Sequence, residues 1–142
     1  MTPVVPGAAA TLKRRLISLV YELLILAAVL FAGTLPAVML TRGWEATMGR
    51  IALQIWLLAL CACFYVWQWR GTGQTLPMKT WKLKLVNVDG KPLSTRRALA
   101  RFGAALASLA TLGAGFLWAL ADRDKQFLHD RLAGTRIVTT AE

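Results

Sequence analysis

Residues 51–69 read IALQIWLLALCACFYVWQW and contain no charged side chain. A helix rises about 1.5 Å per residue, so about 20 residues cross the roughly 30 Å hydrocarbon core of a bilayer. Two more apolar blocks flank this one: residues 16–40, whose only charge is Glu22, and residues 98–121, whose only charge is Arg101. The sequence therefore predicts an all-α integral membrane protein with three transmembrane helices.

The composition of the chain agrees with this class and excludes two others. Of its 142 residues, 56% are hydrophobic and 17% are charged, which is more apolar and less charged than an average soluble domain. The net charge is +10, but a disordered chain would also need low hydrophobicity. Because the apolar residues come in blocks, we expect the basic surplus to mark a cytoplasmic face, and we expect no nucleic-acid binding.

The positions of the basic residues predict the orientation in the membrane. Three stand together at residues 13–15 and seven lie in residues 70–97, whereas only Arg42 and Arg50 separate the first two blocks. By the positive-inside rule, the N-terminus and the 70–97 connection are cytoplasmic. The first block is too long for the core of a signal peptide and lacks an A-x-A cleavage site, so we expect it to be retained.

The third block has two interpretations, a full span and a re-entrant hairpin. Residues 113–115 read GAG and could host a break in the helix. Residues 80–88, TWKLKLVNV, and residues 135–140, TRIVTT, both have strand-like patterns, and they can pair only if they lie on the same side of the membrane. The length of the block favours a span, whereas the basic tail favours a hairpin. We keep three spans as the working prediction, with a small strand pairing.

Charged residues inside the apolar blocks are the candidate functional groups. A charge within a membrane helix costs about 2.5–3.5 kcal/mol on insertion scales, so it usually has a partner or a task. Arg15 and Glu22 share one helical face, about 10.5 Å apart along the axis, and Arg101 is an alternative partner for Glu22. The three residues either hold the helices together or form a proton- or cation-handling carboxylate balanced by arginine.

The tail after the third block predicts a short interfacial helix. Asp122 or Asp124 is a candidate N-cap, and Gly134 is a candidate left-handed stop. His129 and Asp130 are adjacent, but no metal-ligand spacing surrounds them.

The remaining residues predict neither a metal site nor a catalytic site. Cys61 and Cys63 would point about 200° apart on a helix, so they cannot share a metal or a disulfide. No nucleophile–base pair is visible. We therefore expect no cofactor, no metal and no enzymatic activity.

With these residues in view, the chain resembles the RDD family of small bacterial membrane proteins, named for one arginine and two aspartates. The resemblance covers residues 13–138. It is carried most specifically by QFLHDRLAGT at residues 126–135, then by RRL at residues 14–16 and VNVDGKPLS at residues 86–94, ahead of Arg101.

The resemblance assigns the family residues by position. The family arginine falls on Arg15, and the aspartates fall on Asp130 and on either Asp124 or Asp122. The family often has an aspartate seven residues after its arginine, where this chain has Glu22. A Gly-Lys-Arg pattern that often follows the second span is replaced here by LPMK, residues 76–79.

What the resemblance implies about function is a transport-associated role in the bacterial inner (plasma) membrane, with exchange of monovalent cations for protons in some members. It implies a membrane domain over residues 13–140, preceded by a flexible tail, residues 1–12. Three helices are few to enclose a pathway, so we expect a homo-oligomer or a membrane protein partner. The alternative is a non-transporting accessory or scaffold protein, whose basic 70–97 connection binds anionic lipid or a partner.

Overall fold

The computed structural model describes residues 10–89 and 91–140, which are mostly helical. Two long helices come first, α1 (Leu12–Leu40) and α2 (Ala46–Gly71). Residues 1–9 of the predicted flexible tail lie outside the described residues. The later elements are α3 (Leu76–Thr80), β1 (Leu83–Asn87), α4 (Thr95–Ala110), α5 (Ala114–Ala121), α6 (Leu128–Ala133) and β2 (Thr135–Thr139).

The first two helices form an antiparallel pair with apolar outer surfaces. They cross closely at Gly33, where an added Cβ would overlap the Leu60 side chain, and the Trp56 indole donates to the Gly33 carbonyl at 3.0 Å. Two helical segments are long and apolar enough to cross a membrane: α1, and residues 46–80, which combine α2 and α3. The prediction of an α-helical membrane architecture is therefore supported by length and composition.

The third apolar block is not one straight helix. It consists of α4 and α5, bent by 96° at a short break, so the block counts as a third span only if the bent pair is taken together. The break ends at Gly113, the first residue of the GAG sequence that the hairpin interpretation offered as a break point. Leu112 and Gly113 both have positive φ angles, 58° and 78°, and the Gly113 N–H donates to the Ser108 carbonyl at 3.0 Å.

The predicted strand pairing is confirmed. β1 and β2 form a two-stranded antiparallel sheet whose register runs from Leu83 opposite Thr139 to Asn87 opposite Thr135. The alternating side chains of β1 are buried, as its period-two pattern requires. The N–H of Ala10 also donates to a β2 carbonyl, that of Ile137, at 3.4 Å. The start of α1, the sheet and the C-terminal tail therefore lie together at one end of the molecule.

The tail helix is shorter than the sequence predicts. Gly134 ends α6 in the left-handed conformation as expected, but α6 begins at Leu128 with Phe127 as its N-cap, so neither Asp122 nor Asp124 caps it. The Asp122 carboxylate instead accepts the N–H groups of Asp124 at 3.1 Å and Gln126 at 3.0 Å. This carboxylate stabilises the loop before the helix, so α6 begins later in the chain than the sequence predicts.

Candidate functional site

A cavity of about 310 Å³ lies between α1 and α4, beside the end of the molecule that holds the sheet. Its wall is mainly aliphatic and aromatic, and ionisable side chains enter from three helices. Arg15 and Glu22 come from α1, and Arg101 comes from α4. His129 of α6 also lines it. The three residues predicted to handle ions or protons therefore contribute to one site.

Glu22 is buried in this site and is held by a neutral donor. The hydroxyl of Thr75, a fully buried residue just before α3, donates to a Glu22 carboxylate oxygen. The same hydroxyl oxygen also accepts the N–H of Met78 at 3.4 Å, which fixes Thr75 as the N-cap of α3. The sequence suggested Arg15 or Arg101 as the partner of Glu22, but both arginines make their hydrogen bonds elsewhere.

Arg101 pairs with an aspartate of the C-terminal tail. Its Nε and Nη2 atoms both lie 2.8 Å from Asp130 Oδ1, and both side chains are buried. The guanidinium also lies over the Trp69 ring, 4.3 Å from the ring centroid. A buried ion pair needs additional partners to compensate its desolvation, and the Trp69 ring provides one through a cation–π contact with Arg101.

Arg15, which the sequence predicts to be the family arginine, bonds only main-chain acceptors among the described residues. Its Nε and Nη2 donate to the carbonyl of Ala10 at 3.0 and 2.7 Å, and Nη2 also reaches the carbonyl of Asp124 at 3.4 Å. Arg15 therefore joins the start of α1 to the C-terminal tail. Its Nη1 atom is buried and has no hydrogen-bond partner in the described part of the chain, and the same holds for the hydroxyl of Ser18, one turn further along α1.

His129 is packed between aromatic rings. Its ring stacks on Phe127 with 5.4 Å between centroids and meets Phe116 edge-on at 5.3 Å. Burial, followed by the nearby charge of Arg101, lowers the pKa of His129 to about 4, against the opposing effect of Asp130. His129 is therefore neutral at neutral pH and contributes an imidazole, not a cation, to the cavity wall.

A second cluster of charges lies at the surface of the tail. Arg131 contacts Asp122 at 2.6 Å and Asp124 at 3.1 Å. The hydrogen bond from Arg131, followed by the N–H of Gln126, holds the pKa of Asp122 below its usual value. Both candidates for the second family aspartate thus bind the same arginine, and Asp124 in addition binds Arg15 through its main chain.

The buried site holds equal numbers of arginines and acids, and the two acids differ in their partners. The arginines are Arg15 and Arg101, and the acids are Glu22 and Asp130. Asp130 forms an ion pair with Arg101, whereas Glu22 is hydrogen-bonded to the Thr75 hydroxyl. Glu22 can therefore gain a proton or a cation without breaking an ion pair.

Within residues 10–89 and 91–140, no cluster of three or more His, Cys, Asp or Glu could hold a metal ion.

Sequence reasoning found four of the charged residues of this site but missed two neutral ones. Thr75 carried only the pattern of a helix N-cap, Thr-Leu-Pro, and Trp69 stood at the end of an apolar block. Neither signal distinguishes a site residue from an ordinary structural one.

Comparison with known proteins shows the family. The sequence model that describes the RDD family matches residues 9–134, which is most of the chain. The chain therefore belongs to the RDD family. No curated protein and no solved structure matches it.

Proposed function

We propose that this RDD protein is a transport-associated protein of the bacterial inner membrane that exchanges a monovalent cation for a proton at Glu22. The observation that supports this proposal is the state of Glu22. It is a buried carboxylate on a helix long enough to span the membrane, it lines a cavity, and it is bonded to the Thr75 hydroxyl and not to an arginine. Ionisable groups inside membrane helices typically mark ion pathways or proton relays.

The surroundings of Glu22 suit alternating occupancy by a proton and a cation. Hard cations prefer oxygen ligands, and the Thr75 hydroxyl supplies one at the carboxylate of Glu22. Arg15, whose hydrogen bonds go to carbonyl groups, adds positive charge nearby. This charge opposes simultaneous binding of a second cation, as one-for-one exchange requires.

The topology that we propose is a re-entrant α4–α5 hairpin with both termini in the cytoplasm. The pairing of β1 with β2 and the Arg101–Asp130 ion pair bring the tail back to the end where α1 starts. Of the 17 basic residues, only Arg42 and Arg50 then lie at the opposite end, which fits the positive-inside rule well.

Two long helices and a hairpin are few to enclose a pathway. We propose that a homo-oligomer or a membrane protein partner completes it. The outer faces of α1 and α2 offer exposed apolar side chains for this purpose, among them Phe31 and Trp67, which are 73% and 78% exposed.

The test is the substitution Glu22→Gln, which keeps the size and removes the charge. In everted membrane vesicles, flux of Na⁺ or K⁺ driven by a pH gradient is expected to disappear in this variant. Glu45→Gln is the matched control, because Glu45 is an exposed acid at the N-cap of α2, outside the cavity, and its loss is expected to leave the flux intact. Undiminished flux in Glu22→Gln would exclude the assignment.

A second candidate function is that of an accessory protein that binds anionic lipid or a partner through its basic connection. The supporting observation is the row of basic residues at Lys79, Lys82 and Lys84, which follows α2 at the sheet end of the molecule. Each basic residue near an anionic surface contributes about 1 kcal/mol of attraction. This function predicts that neutralising the three lysines abolishes partner pull-down or binding to anionic vesicles, whereas Glu22→Gln changes neither.

A further inference from the structure

The cavity between α1 and α4 has a feature that cation exchange at Glu22 does not use. At the end nearest the start of α1, the buried Arg15 presents a guanidinium nitrogen, Nη1, without a partner in the described part of the chain. We propose that this end of the cavity binds the anionic head of an amphiphile, and that the rest of the cavity holds its hydrocarbon chain. The proposal does not rest on the proposed exchange function, although Glu22 lines the same cavity.

The polar end of the cavity has unpartnered hydrogen-bond donors that an oxyanion could accept from. Arg15 and Ser18 are each 3% exposed and stand one turn apart on α1, and both have an unpartnered polar atom, Arg15 Nη1 and Ser18 Oγ. Leaving such donors buried and unsatisfied is costly, whereas a carboxylate or phosphate oxygen would satisfy them with charge-assisted hydrogen bonds. The bonds that Arg15 already makes go to carbonyl groups. The acids that act on its charge, Asp130 and Asp122, are themselves paired with Arg101 and Arg131.

The apolar part of the cavity extends away from this head site. On α1, Leu19, Leu23 and Leu26 line it progressively deeper, to about 16 Å beyond Arg15 by the helical rise. On α4, the lining continues to Leu106 and Leu109. Since Leu23 and Leu109 are 54% and 66% exposed, the cavity meets the outer, lipid-facing surface of the helices. A chain can therefore enter from the bilayer with its head at the cytoplasmic end.

The other charges of the cavity are compatible with an anion at this position. Arg101 is neutralised by Asp130, 2.8 Å away. Glu22 would repel an anion, but it lies about 10.5 Å along the axis from Arg15 and is bonded to Thr75. An anion in contact with Arg15 at about 3 Å is attracted much more strongly than Glu22 repels it, because the Coulomb energy falls with distance.

Two sources can supply this chemistry, a free fatty acid and an anionic phospholipid, and the experiment separates them. The purified full chain is labelled in detergent with a fatty acid that carries a photoactivatable diazirine in mid-chain, and the labelled residues are mapped by mass spectrometry. We expect the label on the cavity-lining segments of α1 and α4. Oleate is expected to compete, whereas methyl oleate, which lacks the charge, is not. Competition by phosphatidylglycerol instead of oleate identifies a phospholipid as the source and equally supports the site.

Two variants on α4 make the test specific. Ala105 lines the cavity, so Ala105→Leu fills it and is expected to reduce labelling about tenfold, the effect of losing one well-made contact. Ala107, which is exposed and is not part of the lining, provides the control Ala107→Leu, in which labelling is unchanged. Arg15→Gln is expected to weaken oleate binding by a similar factor. Equal labelling of the two alanine variants, or equal competition by methyl oleate, would overturn the proposal.

Discussion

At the scale of single residues, the Arg101–Asp130 pair is a buried ion pair that joins the tail to α4. Removing one partner of a buried pair leaves an uncompensated charge and typically costs about 3–5 kcal/mol. We therefore expect Asp130→Asn to lower the thermal unfolding temperature in detergent strongly. Arg97→Gln is the control, because Arg97 pairs with Asp89 at the surface, where the two side chains are 37% and 42% exposed, and such pairs contribute about 0–1 kcal/mol. Similar shifts in both variants would contradict this role of Asp130.

His129 predicts a pH dependence of stability. Its folded-state pKa of about 4 lies below the ordinary value of 6.5, so the unfolded chain binds the proton first as the pH falls. Stability is therefore expected to decrease between about pH 6.5 and pH 4, by up to about 3 kcal/mol. His129→Phe should remove this decrease, because a phenyl ring binds no proton. The ring also keeps the contacts with Phe116 and Phe127, so the fold is retained. Parallel unfolding-temperature curves for the two proteins over this range would show that His129 does not titrate in this way.

The sequence identified the charged residues of the site but not their partners. A helical wheel relates residues of one helix, and it brought Arg15 and Glu22 to one face. The observed partners are distant in sequence: 29 residues separate Arg101 from Asp130, and 53 separate Glu22 from Thr75. These pairings depend on how helices pack against each other, and one sequence carries little information about that.

At the scale of elements, the bend between α4 and α5 depends on a close approach at Gly115. A Cβ at this position would overlap the Ser108 side chain, including its Cβ, which cannot rotate away. We expect Gly115→Ala to lower stability by about 1–3 kcal/mol, as overpacking usually does. Gly103→Ala on α4 is the matched control, since nothing lies within 4 Å of its added Cβ and alanine favours a helix. Circular-dichroism melts of both variants measure the difference, and equal stability would argue against the tight bend.

The elements were predictable where local chemistry decides them. Alternation predicted β1 and β2, and a glycine predicted the end of α6. The glycines at 113–115 offered the break before α5 as one of two interpretations. The start of α6 was predicted incorrectly because an aspartate before a helix can cap either the helix or the preceding loop. Asp122 binds the loop and Arg131 instead, which only the three-dimensional arrangement reveals.

At the scale of the whole molecule, the apolar blocks and the basic residues predict a membrane protein, but length alone could not resolve the third block. A bent pair of helices and a straight span can have the same number of residues. The strand pairing adds information that length does not carry, because it requires β1 and β2 to be neighbours, and it supports the hairpin that we propose.

This arrangement predicts the side of the C-terminus. A green fluorescent protein fused after residue 142 is expected to fluoresce, and alkaline phosphatase at the same position should be inactive, since both would be cytoplasmic. Alkaline phosphatase fused after Gly43, between α1 and α2, should be active as the internal control. An active phosphatase at the C-terminus would require a full third span.

The central claim is that Glu22 exchanges a cation for a proton, and reconstitution of the purified protein tests it without other transporters. Proteoliposomes with an acidic interior and a pH-sensitive dye inside are supplied with external Na⁺ or K⁺. We predict cation-dependent alkalinisation of the interior with the natural protein and with Glu45→Gln, and none with Glu22→Gln. Alkalinisation that persists in Glu22→Gln, or that is missing with the natural protein, would contradict the account.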